Sequence, residues 1–142
     1  MILDKNYTEL DQTFKRLLAS NGELFKQLIQ FTDYEIDFIE HIISLRDSEN
    51  EWEEDGIWHD DGSRVLAFTL SLTTGPIEGG ILEFRKKDQI QSQKIHTHPY
   101  GTVIVFKTGI MGYEHKINAV TKGKRLIIAG WLYQKEDFKN EK

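Results

Sequence analysis

The sequence has no cysteine. That excludes disulfide staples, thiol nucleophiles, cysteine-ligated zinc and iron–sulfur clusters in one step, and it points to a reducing compartment. It has no long apolar run either. Polar residues interrupt every few positions, well short of the ~20 apolar residues a spanning helix needs. The opening Met1-Ile-Leu-Asp-Lys-Asn lacks a basic region, an apolar stretch and a small-residue cleavage site, so the expectation is a cytoplasmic protein without a secretory signal. Positive charge is in the minority, with 18 Lys and Arg against 23 Asp and Glu, a net charge of −5. Phosphate backbones are held by clustered cations, so neither a nucleic-acid nor a membrane partner is expected.

What remains is a chain of 142 residues, 39% hydrophobic and 29% charged, which is ordinary globular composition for one domain. Leu10, Phe14, Leu17 and Leu18 fall on one helical stripe. Leu24, Phe25, Leu28 and Ile29 repeat the pattern, as do Ile36, Ile39, Ile42 and Ile43 with Phe38 beside them. Asn21-Gly22 reads as a stop, and Thr32 with Glu35 as a capping box. The spacing therefore predicts two or three N-terminal helices as a support over residues 1–48. Residues 49–62 are acidic and rich in turn formers. Short strands with glycine-marked turns follow: Arg64 to Thr73, Gly79 to Arg85, Thr102 to Phe106, Tyr113 to Ile117 and Arg125 to Tyr133. They predict a barrel or sandwich over residues 49–133, and a charged tail over 134–142.

The chemistry-bearing residues are histidines and carboxylates. His59 and Asp61 project to the same side of an extended chain. With His115 from a distant strand they could form a two-histidine, one-carboxylate facial set, which suits non-haem Fe(II) because three positions stay open. On these residues alone, solvated turn acids and a half-buried strand histidine explain the pattern more often than a metal does. Two features compete or contribute. His96-Thr-His98 is a His-x-His that a cupin would use with His115, but no glutamate follows within the next few residues. Strand 64–73 carries a small face of Ala67, Thr69 and Ser71 that should point into the barrel.

The order of motifs resembles the 2-oxoglutarate- and Fe(II)-dependent dioxygenases, in particular the prolyl-4-hydroxylase-like branch. His59-x-Asp61 matches the first ligand pair. Gly79-Gly80-Ile-Leu matches a Gly-Gly-x-Leu strand. Pro99-Tyr-Gly101 to Phe106 matches a Pro-x-x-Gly strand. His115 is followed ten residues later by Arg125, with Gly123 before it and Trp131 after it. The resemblance covers roughly residues 57–133. It implies a mainly β (α+β) fold, a double-stranded β-helix (jelly-roll) barrel with the helices packed on its major sheet. It implies metal ligation by His59, Asp61 and His115. Arg125 would pair with the distal carboxylate of 2-oxoglutarate, a task for which a planar guanidinium fork is suited. Ser71 or Thr69 would hydrogen-bond the same carboxylate. The implied cofactors are Fe(II), 2-oxoglutarate and O2, with ascorbate as a candidate reductant. The implied reaction hydroxylates a C–H bond of a prolyl-like side chain in a peptide, a free amino acid or a small metabolite. The alternatives are a cupin-like metalloprotein using His96, His98 and His115, and a non-catalytic jelly-roll binding module. Oligomeric state is not legible in the sequence.

Overall fold

The computed structural model describes residues 5–49, 56–60, 62–87, 89–95, 99–109 and 112–135. Helix α1 (Lys5–Leu18) forms on the expected stripe, and Lys15 and Arg16 sit in its last turn against the negative end of the helix dipole. Asn21 adopts a left-handed φ of 71°, and the Gly22 N–H donates to the Ala19 carbonyl, which stops the helix as Asn-Gly predicts. Helix α2 (Glu23–Leu28) runs into a 3-10 turn, Ile29–Phe31.

The expected third helix is absent. Residues 36–43 lie in strand β1 (Ile36–Asp47). Thr32 caps no helix start: it is extended at the end of the 3-10 turn, and its Oγ1 accepts from the Tyr34 N–H. The physical reason for the misreading is a β-bulge between Ile36 and Phe38. The extra residue puts Ile36 and Ile39 on one face although they are three apart. Strand period two then adds Ile43, so a bulged strand mimics helical spacing. The β-branched isoleucines favour the strand.

Among the described residues eight further strands follow: β2 (Arg64–Ser71), β3 (Glu78–Gly79), β4 (Leu82–Arg85), β5 (Gln93–Ile95), β6 (Val103–Lys107), β7 (Glu114–Ile117), β8 (Val120–Lys122) and β9 (Lys124–Gln134). All their pairings are antiparallel. The major sheet runs β1-β9-β2-β6, and the smaller sheets are β5-β4-β7 and β3-β8. This is the double-stranded β-helix expected from the sequence.

The major sheet has two different faces. Ile43, Leu66, Phe68, Ile128 and Leu132 pack against Phe14, Leu18 and Leu28 of the helices. Each such buried side chain stabilises the fold by about 1.5–3 kcal/mol. His41 of β1 meets Asp11 of α1 at 2.9 Å on the same side. Strand alternation puts Ser44, Arg46, Ala67, Thr69, Ser71, Arg125, Ile127, Ala129 and Trp131 on the other face, between the sheets. Among the described residues no helix is long and apolar enough to cross a membrane.

Candidate metal and co-substrate site

His59 and His115 meet as an isolated antiparallel bridge. The His59 N–H donates to the His115 carbonyl at 3.0 Å, and the His115 N–H to the His59 carbonyl at 2.9 Å. Their rings stand side by side, with centroids 4.2 Å apart. The His59 Nδ1 lies 3.1 Å from the Ile57 carbonyl. A carbonyl can only accept, so Nδ1 carries the proton and the lone pair of the neutral ring falls on Nε2, the arrangement typical of a metal-binding histidine. His115 is buried, with the Phe106 ring edge-on at 4.9 Å and the Phe84 ring beyond. Trp58 ties the first segment to β4 and β7: the Arg85 guanidinium lies 4.1 Å and the Lys116 ammonium 4.8 Å from its ring centroid.

Asp61 lies outside the described residues, as do His96, His98 and Trp52. Its neighbour Asp60 is occupied elsewhere. Lys87 Nζ donates to its Oδ2 at 2.8 Å and the Gly62 N–H to its Oδ1 at 2.9 Å. The lysine first, and then the amide, hold this carboxyl below its ordinary value. Among the described residues no three His, Asp or Glu side chains converge on one point. Of the expected set of His59, Asp61 and His115, the two imidazoles are the described members, and adjacent imidazole donors are chemically suited to a divalent metal.

Both histidines line a partly open pocket of about 90 Å³ together with Ser44, Arg46, Thr69 and Trp131. A water needs only about 10–15 Å³, so the space has room for a small ligand. Its apolar lining includes Leu82, Phe106, Ile117 and Ile127. Thr69 and Ser71 are both buried. Thr69 Oγ1 and Ser44 Oγ make no hydrogen bond among the described residues. Ser71 Oγ accepts from the Thr73 N–H at 3.4 Å.

Arg125 is 3% exposed, on the interior face of β9 two residues before Ile127. A Cβ on Gly80 would come within 2.9 Å of Arg125 Cδ. With φ at +65°, Gly80 takes a conformation disfavoured for other residues and leaves room for the arginine stem. Two motifs of the sequence, the Gly-Gly pair and the arginine, thus meet in space. One residue escaped the sequence reading. Arg46, 7% exposed, stands opposite Arg125 on β1. The Ser44-x-Arg46 alternation would have placed it inside, had residues 36–47 been read as a strand.

The family model described as the 2OG-Fe(II) oxygenase superfamily matches residues 41–133. A PKHD-type hydroxylase of Gloeothece citriformis is 29% identical over 136 residues, which is 88% of this chain and 54% of that protein. One of Picosynechococcus is 38% identical over 68 residues, 47% of this chain and 28% of that protein. The chain thus spans about half or less of the relatives it matches. Among solved structures, a prolyl-4-hydroxylase of Pseudomonas putida superposes with a TM-score of 0.52 at 20% identity, covering 71% of this chain and 54% of that one. A 2OG-Fe(II) oxygenase-family oxidoreductase of Burkholderia pseudomallei gives 0.53 at 18%, covering 72% and 45%. At these identities the two structures speak for the fold.

Proposed function

Because the chain belongs to the 2OG-Fe(II) oxygenase superfamily, we propose that it is a dioxygenase using Fe(II), 2-oxoglutarate and O2 to hydroxylate a C–H bond. The substrate is a prolyl-like side chain in a peptide, a free amino acid or a small metabolite, the first in keeping with the PKHD-type and prolyl-4-hydroxylase names of its relatives. The observation that carries this reading is the bridged His59–His115 pair opening on a cavity whose inner face continues to the buried Arg125.

In this reading His59 and His115, with Asp61, hold the metal. The Ile57 carbonyl fixes the His59 tautomer. Arg125 orients the co-substrate by its distal carboxylate, and Thr69 and Ser71 offer hydroxyl protons to the same end. Leu82, Phe106, Ile117 and Ile127 keep the cavity dry, which strengthens every charge interaction inside it. The bound metal and co-substrate supply oxidative decarboxylation, giving succinate and CO2, coupled to hydroxylation. The adjacency of His59 and His115 favours this set over one built on His96 and His98.

The test is an anaerobic titration of the protein with Fe(II) and then 2-oxoglutarate. The expected result is a visible metal-to-ligand charge-transfer band that saturates, followed by succinate release in air with ascorbate present. Metal binding without the band on adding 2-oxoglutarate would overturn the proposal.

A further inference from the structure

The inner face of the major sheet changes character along its length. At one end Arg46 and Arg125 are buried, whereas at the other Phe38 is 48% exposed. The register sets Phe38, Tyr133 and Arg64 in one row across β1, β9 and β2, and Glu40, Trp131 and Ala67 in the next. Trp131 and Ala67 line the pocket that the two histidines share, so these two rows form its open end. They are tied into one unit. Phe38 stacks on Tyr133 with ring centroids 4.4 Å apart. The Tyr133 hydroxyl donates to Glu40 Oε1 at 2.9 Å and accepts from Arg64 Nε at 2.8 Å. Arg64 also donates to Glu40 Oε1 at 3.3 Å, and its guanidinium lies 4.6 Å from the Trp131 ring centroid. Both contacts to the carboxylate fall on Oε1. Glu40 Oε2 accepts no hydrogen bond among the described residues, and the side chain is 46% exposed. Three strands thus hold a carboxylate in place at the pocket mouth with one oxygen open, so the ordering cost of a further contact is largely met.

We propose that Glu40 is a specificity residue for the substrate: its Oε2 receives a protonated amine, while Phe38 and Trp131 take the apolar carbon frame beside it. The inference rests on the dioxygenase reading of the site and gives its substrate a chemistry, a small apolar frame carrying a cationic nitrogen. An ionised acceptor bonds most strongly to an ionised donor. Aromatic faces attract cations as well as apolar groups, and the Phe38 ring is half exposed beside the carboxylate. Arg64 balances Glu40 in charge, but its guanidinium is turned to Tyr133, Glu40 Oε1 and the Trp131 ring. An anionic group would meet the open carboxylate oxygen first and be repelled. The amine has two sources of the same chemistry, the α-amine of a free amino acid and the ε-amine of a lysine in a peptide.

The experiment measures binding to protein loaded with Mn(II) and 2-oxoglutarate, by calorimetry, with thermal melts alongside. The probes are L-proline and L-leucine, their N-acetyl forms, and two blocked peptides, acetyl-Gly-Lys-Gly-amide and acetyl-Gly-Pro-Gly-amide. Binding of the free amino acids with loss on acetylation identifies the α-amine as the source. Binding of the lysine peptide over the proline peptide identifies the ε-amine. Glu40→Gln keeps the shape and removes the charge. It should weaken the cationic probes about 3- to 10-fold, the scale of a partly exposed ion pair held in place, and change the neutral ones less than about two-fold. Glu40→Asp, which keeps the charge with a shorter reach, should fall between, and it carries the test if Glu40→Gln does not fold. Equal weakening of cationic and neutral probes would assign Glu40 a structural role at the rim and overturn the inference. Tightest binding by the neutral proline peptide, or no binding by any cationic probe, would overturn it while leaving the dioxygenase reading in place. A parent that binds Mn(II) but not 2-oxoglutarate would overturn both.

Discussion

Gly130→Ala is a one-carbon change whose cost can be worked from the packing. Gly130 lies mid-strand in β9, between His41 of β1 and Phe68 of β2. A Cβ there would fall 2.2 Å from Phe68 Cε1 and 2.3 Å from Cζ, with the Glu40 carbonyl oxygen at 3.1 Å. Carbon atoms in contact sit about 3.5–4.0 Å apart, so the ring must retreat by more than 1 Å. Phe68 is 2% exposed, within the cluster of Phe14, Leu18, Ile128 and Leu132, and has little space to move into. Overpacking of this kind costs about 1–3 kcal/mol. The lower unfolded-state entropy of alanine returns about 0.4–1 kcal/mol. The expected net loss is about 1–2 kcal/mol, a sizeable part of a total near 5–15 kcal/mol. It would be read as a lower urea midpoint at unchanged slope. Phe68→Leu removes the two clashing atoms, so in that background Gly130→Ala should cost nothing or stabilise. The same cost in both backgrounds, or none with Phe68 intact, would refute the packing argument.

Arg125→Ala should weaken 2-oxoglutarate by about 30-fold or more while Fe(II) still binds, since losing one side of a buried charge pair costs about 2–5 kcal/mol; unchanged affinity in the anaerobic titration would remove Arg125 from the site. His115→Ala should lose Fe(II) affinity and turnover, whereas a His96→Ala/His98→Ala double variant keeps both; loss of metal in the double variant with retention in His59→Ala would promote the cupin-like set. Asp61→Ala should abolish 2-oxoglutarate decarboxylation and Asp60→Ala should leave most of it, because Asp60 is turned to Lys87; the opposite result in a succinate assay would exchange their roles. Lys87 and the Gly62 amide depress the Asp60 carboxyl from 3.8, so its stabilisation is present above the unfolded value and fades as pH falls through the folded one. Asp60→Asn should thus be less stable than the parent near neutral pH, with the gap closing below about pH 4; a gap that stays constant into acid would show that the ion pair does not act.

The elements that the sequence made legible are those where one periodicity acts alone. Leu10, Phe14, Leu17 and Leu18 mark α1 because a helix laid on a sheet needs one apolar stripe. Ala67, Thr69 and Ser71 mark the inner face of β2 because alternation is unbroken there. β1 was hidden because its bulge and its isoleucines combine into a false helical spacing, and Arg46 was hidden with it. The order of motifs singled out His59 and His115, but it did not show that they are neighbours. Their bridge is a long-range pairing that no local pattern encodes. The Gly80–Arg125 contact is of the same kind, since the sequence shows a turn and a cation but not that one makes room for the other.

In the proposed metal site, the reciprocal amide bonds between His59 and His115 would make the pair a ready-made chelator. Two donors far apart in the chain are closed into one small ring by backbone atoms, so the loop-closure entropy of bringing them together is met by folding and not by the ion. At that site an arriving ion would meet both imidazoles already side by side, and opening of the bridge would cost it one of them. Ion residence and bridge opening become linked equilibria. The two amide protons should therefore exchange with solvent together, and both more slowly once the metal is bound.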